Sequence, residues 1–76
     1  MTIDEIKNEV NQFISELKET IKEEESHSAK TSNYAIYKET VSKAESLLKE
    51  LNNPLVENNL ASYFELRLKE LQNPIY

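Results

Sequence analysis

The sequence has no cysteine, glycine or tryptophan, and only two prolines and one histidine. Without cysteine, neither a disulfide nor a thiolate metal site can stabilise the fold. Tight β-hairpin turns usually need glycine or asparagine at positive φ, so the lack of glycine argues against a β-sheet protein. A cysteine-free chain is also typical of the cytoplasm, which is the location that we expect.

Catalytic motifs are scarce as well. The chain has no thiol nucleophile, a single histidine and no glycine-rich phosphate loop. Nothing in the sequence marks a pair of carboxyl groups whose pKa values would be separated by burial. Glu24 and His27 form one Glu-x-x-His pair, whereas di-metal sites in helical bundles use two such pairs and two further glutamates. We therefore expect no enzyme, no cofactor and no metal site.

Long apolar runs are missing too. No segment approaches the roughly 20 apolar residues that span a bilayer. The first five residues are acidic in character and no apolar segment follows them, so we expect no signal peptide and no membrane partner.

The charge is distributed unevenly along the chain. The net charge is −5, with 9 basic and 14 acidic residues. Residues 1–25 contain eight acids and three lysines, whereas residues 26–76 contain six acids and six bases. A surface that binds nucleic acid needs an excess of basic side chains, so we expect no direct binding to nucleic acid.

The first of three segments with helical periodicity starts near the N-terminus. Thr2 and Glu5 have the spacing of a capping box. Apolar residues then recur at alternating steps of three and four, the pattern of a heptad seam. The seam consists of Ile3, Ile6, Val10, Phe13 and Leu17. Ile14 and Ile21 widen this stripe, as in a bundle helix.

The second segment follows a polar stretch, residues 26–33, which predicts a loop. Its apolar residues have the same heptad spacing. They are Tyr34, Tyr37, Val41, Ala44, Leu48 and Leu51. Asn53 precedes Pro54, and a residue in that position disfavours the helical region, so the helix is predicted to end at about residue 51.

The third segment is predicted to begin at the same place. Asn53 is a suitable N-cap, and Pro54 suits the first helical position. One broad apolar face runs from there to about residue 72. It consists of Val56, Leu60, Tyr63, Phe64, Leu68 and Leu71. Leu55 and Leu66 project elsewhere, so this helix is expected to present apolar surface in two directions.

These segments predict one all-α domain over residues 1–76, an up-down-up three-helix bundle with helices at about 3–25, 33–51 and 54–72. A chain of this length buries a small core, and its stability is marginal. The alternative is a helical hairpin that forms a homodimeric bundle.

The most informative feature for function is a row of glutamates on the first helix, with Gln12 in its one gap. We call it the acidic edge. It consists of Glu5, Glu9, Glu16, Glu19 and Glu23. Like charges four residues apart on a helix repel each other by a few tenths of a kcal/mol. This repulsion indicates a surface for a basic partner.

A purely structural interpretation of the acidic edge is also open. In that case cations of the other helices would pair with it across the bundle. The candidates are Lys38, Lys43, Arg67 and Lys69.

Arg67 is the only arginine and lies within the apolar face of the third helix. In one interpretation its stem packs on that face while its guanidinium pairs with a carboxylate at the rim. In the other it anchors a protein interface, where arginine and tyrosine are enriched. We include it with the acidic edge among the candidate binding residues.

Together these features predict a small protein-binding module, that is, an inhibitor, adaptor or immunity-type protein whose partner has a basic surface. Two alternatives remain. The chain would be a self-assembling helical oligomer that uses Leu55 and Leu66, or an acidic nucleic-acid mimic that inhibits a DNA- or RNA-binding protein. The last four residues, 73–76, also match Asn-Pro-x-Tyr, which is similar to a motif read by phosphotyrosine-binding domains, although a helix stop explains them equally well.

Overall fold

The computed structural model describes residues 1–26 and 33–76 and has three α-helices. The helices are α1 (Ile3–Glu25), α2 (Asn33–Leu51) and α3 (Ala61–Gln72), and a single 3₁₀ turn (Asn58–Leu60) precedes α3. The fold is the predicted all-α three-helix bundle, and the described part of the chain contains no strand. The loop predicted at residues 26–33 falls mostly on residues 27–32, which lie outside the described residues.

The start of α1 is the predicted capping box. The Thr2 hydroxyl accepts a hydrogen bond from the Glu5 N–H at 3.2 Å, and the Glu5 carboxylate accepts one from the Thr2 N–H at 3.1 Å. The bond from the Thr2 backbone, followed by the contact with its hydroxyl, lowers the pKa of the Glu5 carboxyl. All five residues of the predicted seam are buried, together with Ile14.

The buried stripe of α2 differs from the predicted seam at one turn. Leu47 is fully buried, whereas Leu48 is only partly buried. Both residues lie one turn from Ala44 and from Leu51, so the heptad pattern allows either. Because α1 and α3 both pack on α2, its buried stripe is wider than a two-helix seam and includes Thr40.

The predicted start of α3 is wrong, because the helix begins at Ala61 and not at Pro54. Asn53 does not cap a helix. Its side-chain oxygen accepts a hydrogen bond from the Leu55 N–H at 3.0 Å, and its carbonyl accepts one from the Val56 N–H at 3.0 Å. These bonds form a turn at Asn53, since asparagine side chains compete effectively for nearby backbone donors.

Two long-range hydrogen bonds place α3 against α1. Before α3, the Asn58 side-chain oxygen accepts a hydrogen bond from the Ile3 N–H at 3.1 Å. After α3, the Tyr76 hydroxyl donates to Glu16 at 3.0 Å, and its ring lies 5.9 Å from that of Phe13. α3 therefore runs in the same direction as α1, which is consistent with the predicted up-down-up order.

The molecule is elongated, with dimensions of 46 × 18 × 15 Å. Its two ends differ in the number of helices that pack together. At the three-helix end, residues 3–17 of α1 pack with α3 and the C-terminal part of α2. The two-helix end consists of residues 20–25 of α1 and residues 33–37 of α2. The largest fully buried side chains all lie at the three-helix end, and no side chain of the two-helix end is buried.

Candidate functional site

The acidic edge lies on the surface of α1, beside the apolar seam that packs on α2 and α3. All five of its glutamates, and Gln12 in the gap, are exposed. Within residues 1–26 and 33–76, none of the five forms an ion pair with a lysine or arginine. The cross-helix pairs of the structural interpretation are therefore not formed among these residues.

The cations named in that interpretation lie elsewhere. Lys43 pairs with Glu39 on α2 at 3.2 Å, and Lys69 pairs with Glu65 on α3 at 3.8 Å. Lys38 lies 5.2 Å from the ring centre of Tyr34 on its own helix. These contacts keep positive charge on α2 and α3 and leave the acidic edge unneutralised.

Among the residues that the structure describes, one ion pair joins α1 to another helix, between Lys18 and Glu45 of α2 at 3.9 Å. It joins α1 to α2 through a lysine that is not part of the acidic edge. Both side chains are more than half exposed, so the pair contributes little to stability.

Two members of the acidic edge interact with other side chains. Glu5 belongs to the capping box described above. Glu16 accepts hydrogen bonds from Gln12 at 3.3 Å and from the Tyr76 hydroxyl at 3.0 Å. The carboxylates of Glu9, Glu19 and Glu23 have no such partner among the described residues, so they are available to a partner.

A groove of about 320 Å³ lies beside the acidic edge, between α1 and the C-terminal residues. Glu9, Glu16, Gln72 and Tyr76 are among the residues that line it. Loss of hydration at the Tyr76 hydroxyl, and its bond to the negatively charged Glu16, raise the pKa of Tyr76. The last residue of the chain thus contributes to the site. The contact was not predicted, because no local pattern links residues 60 positions apart.

Arg67 lies on α3 and pairs with α2. Its Nη1 donates to the Glu50 carboxylate at 2.8 Å, and its guanidinium lies 5.6 Å from the ring centre of Tyr63. The bond to Arg67 lowers the pKa of the Glu50 carboxyl, and the same bond raises the pKa of Arg67. This geometry is the predicted rim pair. The structure does not bring Arg67 to the acidic edge, and its role as an interface anchor stays a prediction.

A second exposed surface surrounds the start of α3. Leu55 and Leu66 are exposed, as predicted. Leu60 and Tyr63 were expected on the buried face, but they are 40% and 54% exposed. The buried face of the shorter α3 is instead formed by Ala61, Phe64 and Leu68. The apolar surface around the start of α3 is therefore larger than predicted.

Two further observations concern metal binding and membrane insertion. Within residues 1–26 and 33–76, no three histidine, aspartate or glutamate side chains are grouped as metal ligands would be. His27 lies outside the described residues, so the Glu24–His27 pair is not tested. No helix in the described part of the chain combines the length and the apolar character needed to cross a membrane. Comparison with known proteins found no matching family model, curated protein or solved structure.

Proposed function

We propose that this chain is a small cytoplasmic protein-binding module, of inhibitor, adaptor or immunity type, whose acidic edge contacts a basic surface of another protein. One observation carries the proposal. Five exposed glutamates lie along α1, and no lysine or arginine of the described residues neutralises them. Complementary charge on a partner would relieve their mutual repulsion and speed association.

The spacing of these charges favours a protein partner over the imitation of nucleic acid. From Glu5 to Glu23 the edge covers about 27 Å at 1.5 Å per residue. A DNA duplex has one phosphate charge per roughly 1.7 Å of axis, and so about 16 charges over that length. Five carboxylates are a sparse imitation of a duplex, but their spacing suits lysines and arginines spread over a protein surface.

The proposal can be tested by affinity capture. The immobilised chain is incubated with lysate of the cell that encodes it, and a variant with Glu9→Lys, Glu19→Lys and Glu23→Lys is used beside it. If the edge binds the partner, the variant should capture at least ~10-fold less of that protein than the wild-type chain does. Its helical circular dichroism should be unchanged, because all three side chains are exposed.

A matched control variant replaces three glutamates that lie off the edge: Glu39→Lys, Glu57→Lys and Glu70→Lys. In each triple variant three exchanges of two charge units take the net charge from −5 to +1. Capture should persist with the control variant. Equal loss with both variants would show that only total charge matters, and loss of helicity in the edge variant would show that the edge is structural.

One observation favours a second candidate, self-assembly. Leu55, Leu60, Tyr63 and Leu66 expose apolar surface around the start of α3, and such patches commonly mark protein interfaces. Light scattering over a range of concentrations tests this function. Self-assembly predicts a mass above the 8.9 kDa of one chain and a return to that mass in a variant with Leu55→Glu and Leu66→Glu. A mass of one chain at every concentration would exclude it.

A further inference from the structure

The groove between α1 and the C-terminal residues combines carboxylates with an aromatic ring. On the α1 side it is lined by Glu9 and Glu16, which lie two turns apart, about 10 Å along the helix. On the other side it is lined by the half-buried Gln72 and by Tyr76. Phe13 lies at the base of the groove, because it is only 2% exposed and its ring is 5.9 Å from that of Tyr76.

This groove is negatively charged. Among the described residues that line it there are two carboxylates and no lysine or arginine. Lys69 lines a separate groove beside Tyr76, and it pairs with Glu65 at 3.8 Å. Loss of hydration and the bond to Glu16 raise the pKa of Tyr76, so its hydroxyl stays protonated as a hydrogen-bond donor. A ligand of the groove therefore has to bring positive charge.

The groove also has free hydrogen-bonding capacity and a free aromatic surface. The Glu9 carboxylate has no partner among the described residues. Glu16 accepts one bond at each oxygen, from Gln12 and from Tyr76, and a carboxylate has about four acceptor sites. These two bonds hold Glu16 in place. Tyr76 is 77% exposed, so its contact with Phe13 leaves most of the side chain open to a ligand.

We propose that a single arginine side chain of the partner protein enters this groove. Its planar guanidinium stacks on the ring of Tyr76, and its N–H groups donate to the Glu9 carboxylate. Glu16 adds negative charge at the other end of the groove. The inference rests on the proposed function, and it adds which residue the partner presents and which part of the acidic edge receives it.

The chemistry of the groove favours arginine over lysine. A guanidinium is planar, stacks on aromatic rings and is more weakly hydrated than an ammonium group. Cations over aromatic rings in proteins are accordingly more often arginines than lysines. A lysine would gain from the carboxylates alone, whereas an arginine gains from the carboxylates and from Tyr76.

A second copy of this chain does not provide that side chain. Arg67 is the only arginine of the sequence. Its guanidinium is held by Glu50 at 2.8 Å and lies 5.6 Å from the ring centre of Tyr63. The arginine that fills the groove therefore comes from another protein.

The test uses the full chain and two blocked pentapeptides, in which four glycines flank a central arginine or a central lysine. Each peptide has one positive charge. A titration followed by NMR should show the arginine peptide binding at least ~3-fold more tightly, the usual effect of one cation–aromatic contact at an exposed site. The largest shifts should occur at the backbone amide of Tyr76 and at the side-chain amides of Gln12 and Gln72.

Two variants of Tyr76 separate the ring from the rest of the side chain. Tyr76→Leu keeps an apolar side chain beside Phe13 but removes the aromatic surface, so the two peptides should bind about equally. Tyr76→Phe is the matched control, because it keeps the ring and loses only the hydroxyl. It should retain the preference for arginine.

Three charge variants locate the site on the edge. Glu9→Gln should weaken binding of the arginine peptide at least ~2-fold, as expected for one exposed ion pair. Glu19→Gln changes the charge equally on the same edge but outside the groove, so its effect should be smaller. Glu70→Gln is the control on the exposed surface of α3 and should leave binding unchanged.

Several outcomes would overturn the inference. Equal binding of the two peptides to the wild-type chain, or equal effects of Glu9→Gln and Glu19→Gln, would leave a diffuse acidic surface with no arginine site. Undetectable binding of the arginine peptide would exclude the site. The capture experiment tells these failures from failure of the proposed function. Capture that is lost in the edge variant but unchanged in Tyr76→Leu would retain the acidic edge and remove the arginine groove.

Discussion

At the three-helix end, residues 3–17 of α1 include six buried side chains, whereas residues 20–25 include none. Both stretches belong to one continuous helix, and Ile21 continues the same apolar stripe. The difference is the third helix, which covers only the first stretch. An amphipathic face is fully buried only where helices pack on both of its flanks, so the same pattern gives a closed core at one end and an open surface at the other.

The two ends also differ in how their parts are joined. At the three-helix end, the Asn58–Ile3 and Tyr76–Glu16 hydrogen bonds join segments far apart in the chain. At the two-helix end, the described residues bring together only the end of α1 and the start of α2. Few buried contacts favour local opening, so the two-helix end should be the more dynamic.

The largest effect is expected from truncation in the closed core. Leu47 is fully buried, so Leu47→Ala should remove its packing and leave a cavity, which costs about 3 kcal/mol. Urea unfolding followed by circular dichroism measures the loss. A decrease in the free energy of unfolding smaller than that caused by Ile21→Ala would contradict the comparison between the two ends.

A smaller effect is expected at the open end. Ile21 packs against the core but is only partly buried, so Ile21→Ala should cost about 1 kcal/mol. The same urea experiment gives the value, and amide hydrogen exchange adds a check. Exchange near residue 21 should be faster than near Val10 in the wild-type chain, and equal rates would contradict the division into two ends.

The next prediction concerns the bond that positions the start of α3. Asn58→Ala removes the acceptor for the Ile3 N–H and should cost about 1 kcal/mol or less, the usual net value of one hydrogen bond. Asn58→Asp is the matched control, because its carboxylate retains an acceptor oxygen. Equal destabilisation by the two variants would show that this bond does not position α3.

The smallest effect is expected for the exposed Glu50–Arg67 pair. Arg67 lowers the pKa of Glu50 in the folded chain, so the stabilisation is present above the ordinary glutamate pKa of about 4.3. It should be lost as the pH falls through the lower folded value. Glu50→Gln should therefore lower the urea midpoint slightly at pH 7 and by less at pH 3. A difference that is the same at both pH values would contradict this assignment.

Local sequence patterns gave correct predictions where the structure of a segment depends on its own residues and on one packing neighbour. The Thr2 and Glu5 capping box and the α1 seam are both present in the structure. The same reasoning failed at Asn53 and Pro54, because a cap and a turn use the same asparagine oxygen. Here the cap is distinguished from the turn only by the distance that the chain must cover between the end of α2 and the point where it packs on α1.

The candidate site was predictable in part. The exposure of the acidic edge followed from the position of its glutamates beside the seam. The contact of Tyr76 with Glu16, and the rim pair of Arg67 with Glu50 in particular, depended on how the helices pack. In a three-helix bundle several carboxylates could lie within reach of Arg67, so its partner could not be predicted from the sequence.

The sequence by itself determined that this chain forms three helices, which face of α1 is buried, and that the excess negative charge lies along α1. These properties depend on side-chain periodicity and composition, which are local. The tertiary structure alone decided where α3 begins, how far it covers α1, and which end of the bundle stays open. Those properties depend on contacts between residues some 55–60 positions apart, whose geometry no local pattern encodes.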